Sequence, residues 1–221
     1  AQAAEWSDTW FGMRFGNKYR EPANDKDISK HIYQFQHASG YSLGTNFLNV
    51  DVLKSDSNDP ANNGGGGAQE IYLVYRNTLS LGKATGAKLN LGPIRDFGIS
   101  AGFDLNSKDD AFAPRVRKLV IGPSVSFNVP GFLNAAVVYR TEKNHNGLAT
   151  GAGQTTNVTF DPTIGLETSW GIPIPQIGAV FKGFLTWFGE KGKDGFGNQT
   201  RPETLLEAAI MFDVGRFAAK K

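Results

Sequence analysis

Side chains able to carry covalent or acid–base chemistry are few and scattered in this sequence. The three histidines, His31, His37 and His145, show no metal-ligand spacing. There is no cysteine to serve as nucleophile, thiolate ligand or disulfide partner. Gly82-Lys83-Ala84-Thr85 mimics the end of a phosphate-binding loop, but it lacks the earlier glycine and the expected following helix. Asp51, Asp56, Asn58, Asp59, Asn62 and Asn63 make an oxygen-rich stretch without the calcium-loop spacing, so solvated loop polarity is the expectation. The chain reads as a non-enzyme, with no catalytic group, cofactor or resident metal expected.

What remains is a set of polar side chains at alternate positions of apolar runs: Arg14, Gln34, Gln36, Glu70, Arg76, Asp96, Asp104, Arg140, Glu142, Glu167 and Glu207. A strand sends successive side chains to opposite faces, so a period of two sorts residues between two surroundings. Phe97, Ile99, Ala101, Phe103 and Leu105 alternate with Asp96, Gly98, Ser100, Gly102 and Asp104. Leu133, Ala135, Val137 and Tyr139 alternate with Asn134, Ala136, Val138, Arg140 and Glu142. From Val158 to Trp170 the apolar set Val158, Phe160, Pro162, Ile164, Leu166 and Trp170 opposes Thr159, Asp161, Thr163, Gly165, Glu167 and Ser169. Shorter stretches around Met13, Phe35, Val50, Leu73, Ile121 and Ala208 follow the same rule. Val180–Phe188 is aromatic on both faces, and its inner side stays unassigned at this point.

The connections alternate as well. Long polar segments near 16–29, 54–68, 106–114, 144–155 and 189–202 are separated by short ones at 38–40, 128–131 and 171–178. The segment 77–93 is the exception, longer than a turn, with strand extensions expected around Gly82–Gly86. Long loops at one end and short turns at the other are the habit of outer-membrane barrels. Tyr41, Tyr75, Phe127, Phe132, Tyr139, Trp170 and Trp187 near strand ends fit an interfacial aromatic girdle. The expected fold is all-β: one transmembrane antiparallel up-and-down β-barrel over residues 1–221, with ten strands. The apolar face points to lipid, the loops are extracellular and both termini are periplasmic. No run approaches the roughly 20 apolar residues of a membrane-crossing helix. Ala1-Gln2-Ala3 has the form found at a signal-peptidase site, consistent with export. With a net charge of +2 and no basic run, nothing resembles a nucleic-acid binder.

The stretch Leu79–Arg140 resembles the nucleoside-specific channel-forming proteins of Gram-negative outer membranes, the Tsx-like family. The resemblance is carried by Leu91-Gly92-Pro93-Ile94-Arg95-Asp96-Phe97 entering a strand, and by the Ser29–Ser55 hairpin with Tyr33-Gln34-Phe35. It implies a narrow twelve-stranded channel admitting nucleosides and related small solutes, and it transfers no binding residue. Family barrels end on an aromatic residue, whereas Phe217 is followed here by Ala-Ala-Lys-Lys. Twelve strands are therefore expected if a C-terminal hairpin is missing, which would leave the strands bearing Arg14 and Glu207 unpaired.

Two functions remain open at this point. One is a bacterial outer-membrane channel for passive diffusion of small polar solutes, nucleosides being the class that the resemblance implies, with Arg14 to Glu207 as lumen-lining candidates. The other is a non-transporting structural, adhesion or assembly barrel acting through its loops. The partners expected are outer-membrane lipid and lipopolysaccharide, together with the solute.

Overall fold

In the computed structural model, which describes residues 4–21, 24–60, 66–109 and 114–215, the alternating runs form antiparallel strands. They are β1 (Trp6–Tyr19), β2 (Ile28–Tyr41), β3 (Gly44–Ser55), β4 (Gln69–Ser80), β5 (Ile94–Lys108), β6 (Arg117–Phe127) and β7 (Phe132–His145). After them come the short β8 (Asn157–Thr159), then β9 (Thr163–Ile174), β10 (Ala179–Phe188) and β11 (Glu203–Phe212). Ten of these follow one another up and down in sequence order, and β8 pairs with β7 beside that path. The Ala1-Gln2-Ala3 signal and the last residues, 216–221, lie outside the described residues.

Strands run further than the sequence reading allowed. Ala38-Ser39-Gly40, read as a turn, lies inside β2 and pairs on both sides. The turn is Ser42-Leu43, and Gly40 is small because the Trp6 indole of β1 lies against it. The segment 77–93 carries β4 on through its first four residues but holds no strand around Gly82–Gly86. β4 ends at Ser80, whose hydroxyl accepts from the Lys83 N–H and caps a one-turn helix α1, Leu81–Thr85. Gly86, at φ 71°, closes that helix in a conformation that costs other residues energy. The lysine-bearing Gly82–Thr85 is thus itself helical, where the sequence reading saw no helix.

The run Val158–Trp170 breaks into β8 and β9 at 160–162. Pro162 has no N–H to donate to a ladder, so a continuous strand is interrupted there. At the opposite end, Asn128–Gly131 is a tight turn, as read, with Gly131 at φ 76°.

The sheet is strongly curled. Flat, β1 and β11 would stand nine strand spacings, about 43 Å, apart. Instead Arg14 Nη1 of β1 lies 3.0 Å from Glu207 Oε2 of β11. The Lys182 ammonium of β10 sits 5.0 Å from the centroid of the Trp10 ring of β1. The result is a half-barrel whose two edges face each other across side chains, with no backbone ladder between β1 and β11.

Burial is inverted relative to a water-soluble domain. Phe11 is 81% exposed and Leu119 64%, whereas Arg140 is 2% exposed. Large apolar side chains of β1, β4, β6, β7, β9 and β11 point outward, and the concave face carries the charges. The apolar core inside is small, formed by Val120, Ala136, Val138 and Phe188.

Candidate functional site

Register places the polar alternate positions on the concave face, and the curl brings residues far apart in sequence into contact. Near mid-height, Arg76 on β4 reaches across to Glu167 on β9. Nε and Nη2 donate to the two carboxylate oxygens at 2.9 and 2.7 Å, a bidentate fork. Its Nη1 donates to Asp104 Oδ1 at 2.7 Å and to the Tyr75 carbonyl at 2.9 Å. All three charged side chains are well shielded from solvent. The Tyr72 hydroxyl lies 3.5 Å from the other Asp104 oxygen. This triad crosses the concave space.

Toward the loop end, Arg140 stacks over Phe188 at 3.8 Å from the ring centroid and pairs with Glu203 at 3.0 Å. Glu142 lies 3.6 Å from Arg140 and 2.8 Å from Lys191 of the last loop. Lys191 also pairs with Glu203, and its ammonium stands over the Phe160 ring. A second loop-end cluster surrounds Lys108, with Glu21 at 3.1 Å, Asp59 at 3.6 Å and Glu70 at 3.8 Å. Glu21 takes Lys30 as well, at 2.8 Å, tying two loops onto the sheet.

On the β1 side, Arg14 bridges Asp51 of β3 and Glu207 of β11, each at 3.0 Å. Next to it Gln34 and Gln36 both donate to the side-chain oxygen of Asn49, at 3.0 and 2.6 Å. Asp96 stands apart at the turn end. It takes the Ser80 hydroxyl and the backbone N–H groups of Gly82 and Phe97, so it secures α1.

The eleven sequence candidates therefore fall into groups: Arg76, Asp104 and Glu167; Arg140 and Glu142; Arg14 and Glu207; Gln34 and Gln36; with Glu70 beside Lys108 and Asp96 alone. Sequence reasoning missed Lys108 and Glu203 as members, although each shares strand parity with a named residue, Asp104 and Glu207 respectively. Lys191 comes from a loop and offered no periodic signal. The inner side of β10 is set by Lys182 over Trp10 and Phe188 under Arg140, which puts Phe184 and Thr186 inward too.

Several inner polar atoms have no hydrogen-bond partner among the described residues: Arg14 Nε, Asp51 Oδ1, Arg140 Nε and Nη2, and Glu142 Oε2, although the last two face each other as an ion pair at 3.6 Å. In the loop after β3, Asp56 accepts the backbone N–H of Ser29 and of Asn58, both at 3.0 Å. Those hydrogen bonds, that from Ser29 first, hold its carboxyl below the ordinary carboxylate value. Asp56, Asn58 and Asp59 are thus engaged in loop structure, with Asp59 against Lys108, while Asp51 lies in β3 and Asn62 and Asn63 fall outside the described residues.

Fold and site together define a class: an antiparallel up-and-down β half-barrel with an apolar convex wall and an ion-paired concave face. Comparison with family models, with curated proteins and with solved structures returned no match in any of the three.

Proposed function

We propose that the chain forms an outer-membrane channel wall along whose concave, charge-lined face small polar solutes diffuse passively. The inverted polarity supports the membrane setting, since an apolar wall is stable facing hydrocarbon and costly facing water. The single observation that carries the transport reading is the set of buried inner-face atoms without a hydrogen-bond partner among the described residues, on Arg14, Asp51, Arg140 and Glu142. Buried polar atoms are satisfied by something, and here water or a polar solute is the available partner. Carboxylates and guanidinium groups at several heights would act as successive weak sites, as in other narrow pores. Nucleosides, the class implied by the sequence resemblance, have the hydroxyl and ring-nitrogen groups to engage them.

A second reading, a non-transporting barrel working through its loops, is favoured by one contact. The Arg76–Glu167 fork spans the concave face and narrows any path along it. Ten strands leave a lumen that side chains nearly fill. Conductance of the purified chain in planar bilayers, with and without added nucleoside, separates the two. The channel reading expects small unitary steps that nucleoside reduces; no conductance at all would defeat it.

A further inference from the structure

The outer wall carries one group of cations that the concave face does not use. Arg117 of β6 is directly opposite Lys143 of β7. Arg115 and His145 form the next pair, exchanging backbone hydrogen bonds at 3.2 and 3.3 Å. All four point outward by strand parity, in step with Leu119, Ile121 and Tyr139, and together they line a shallow pocket with Asn157 and Thr159. Like charges directly opposite each other repel. Among the described residues no carboxylate pairs with Arg115, Arg117 or Lys143, whereas the inner cations Arg14, Lys30, Arg76, Lys108, Arg140 and Lys191 each have one.

Position along the strands says what would relieve that repulsion. The next outward pair towards the turn end is Leu119 and Thr141, then Ile121 and Tyr139. Those residues, with Tyr75 and Phe103, line an apolar groove on the same wall. Pairs two residues apart on a strand are separated by about 7 Å. The cation pocket and the apolar groove therefore abut, in the vertical order of a lipid headgroup above its acyl chain.

We propose that Arg115, Arg117 and Lys143 bind the phosphate of an outer-leaflet lipid, with an acyl chain of the same molecule lying in the groove below. The proposal rests on the membrane reading above. Arginine and lysine at a membrane surface attract anionic headgroups, and arginine forks match phosphate geometry.

The test uses the full chain, delipidated and reconstituted into phosphatidylcholine nanodiscs. These contain a minor fraction of diphosphoryl lipid A, or the same lipid A with its phosphates removed. Native mass spectrometry reads the lipid retained as the disc is stripped. Wild type is expected to retain the phosphorylated form preferentially, and R117E/K143E to lose about tenfold or more of that preference. R117Q/K143Q, which removes charge without reversing it, is expected to fall between them. Circular dichroism and heat-shifted gel mobility verify that each variant is folded. Equal retention of the two lipid A forms by folded wild type would overturn the proposal, as would unchanged preference in both variants. Inorganic phosphate bound by wild type and not by R117E/K143E, with no preference between the two lipid A forms, would assign the pocket to a free anion instead and also overturn it. Insertion into the discs without lipid preference defeats only this proposal, whereas failure to insert at all defeats the membrane reading beneath it.

Discussion

Replacing Arg76 by methionine removes the charge that holds β4, β5 and β9 together while keeping an apolar stem of similar reach. Two carboxylates would be left behind, those of Asp104 and Glu167, each with little access to solvent. Arg76 donates to both Glu167 oxygens, to Asp104 and to a backbone carbonyl at 2.7–2.9 Å, and without it Asp104 keeps the long Tyr72 hydroxyl contact at 3.5 Å. Removing one partner of a shielded ion pair costs about 3–5 kcal/mol, most of it from the stranded opposite charge. At the lower bound that is roughly a hundredfold in the ratio of folded to unfolded chain. The assay is urea unfolding in detergent micelles followed by tryptophan fluorescence, with R76M beside the triple variant R76M/D104N/E167Q. The triple variant leaves no buried charge and is expected to regain most of the loss. A cost below about 1 kcal/mol for R76M, the range of an exposed pair, would refute the reasoning. So would a triple variant no more stable than the single one.

Three further outcomes follow from particular contacts. An added Cβ at Gly165 would overlap the Phe188 ring, so G165A is expected to cost about 1–3 kcal/mol by overpacking and to shift Phe188 from under Arg140; both are measurable by urea unfolding and ring chemical shifts. If Arg76 and Arg140 face the solute path, R76M and R140M should reduce anion preference in bilayer reversal-potential measurements; unchanged selectivity counts against that placement. Asp56 has a carboxyl held low by the Ser29 N–H. Its contribution is therefore complete above the unfolded value near 3.9 and is lost as pH falls through the lower folded value. Protection of the Ser29 amide from exchange should fall over that acid range in wild type, and D56N should lack the transition.

Much of the fold could be read because the two faces differ so sharply. Phe97 to Leu105 against Asp96 to Asp104 fixes strand and facing at once, since a shift by one residue would invert every side chain. Strand limits were harder, because Ala38-Ser39-Gly40 has turn composition but pairs as strand where Trp6 lies over Gly40. Pro162 belongs to an apolar series by parity, although its missing N–H ends the ladder. The site was legible as a list of inward residues but not as a set of partners. Arg76 and Glu167 are 91 positions apart, and only the curl of the sheet brings them together. Lys182 and Phe188 gave no facing because β10 is aromatic on both sides. Their direction follows from Trp10 and Arg140, which come from other strands.

The central claim is that the apolar convex wall faces lipid while the charged face is turned away from it. The chain has no cysteine, so single cysteines at positions 117 to 122 of β6 can each carry a spin label without background. In reconstituted bilayers, power-saturation measurements compare collision with oxygen, which concentrates in hydrocarbon, and with a water-soluble nickel complex. The account predicts that oxygen contact peaks at Leu119 and Ile121 and drops at Val120 and Gly122, with a period of two. Nickel contact dominating at Leu119 and Ile121, or no alternation along β6, would contradict it.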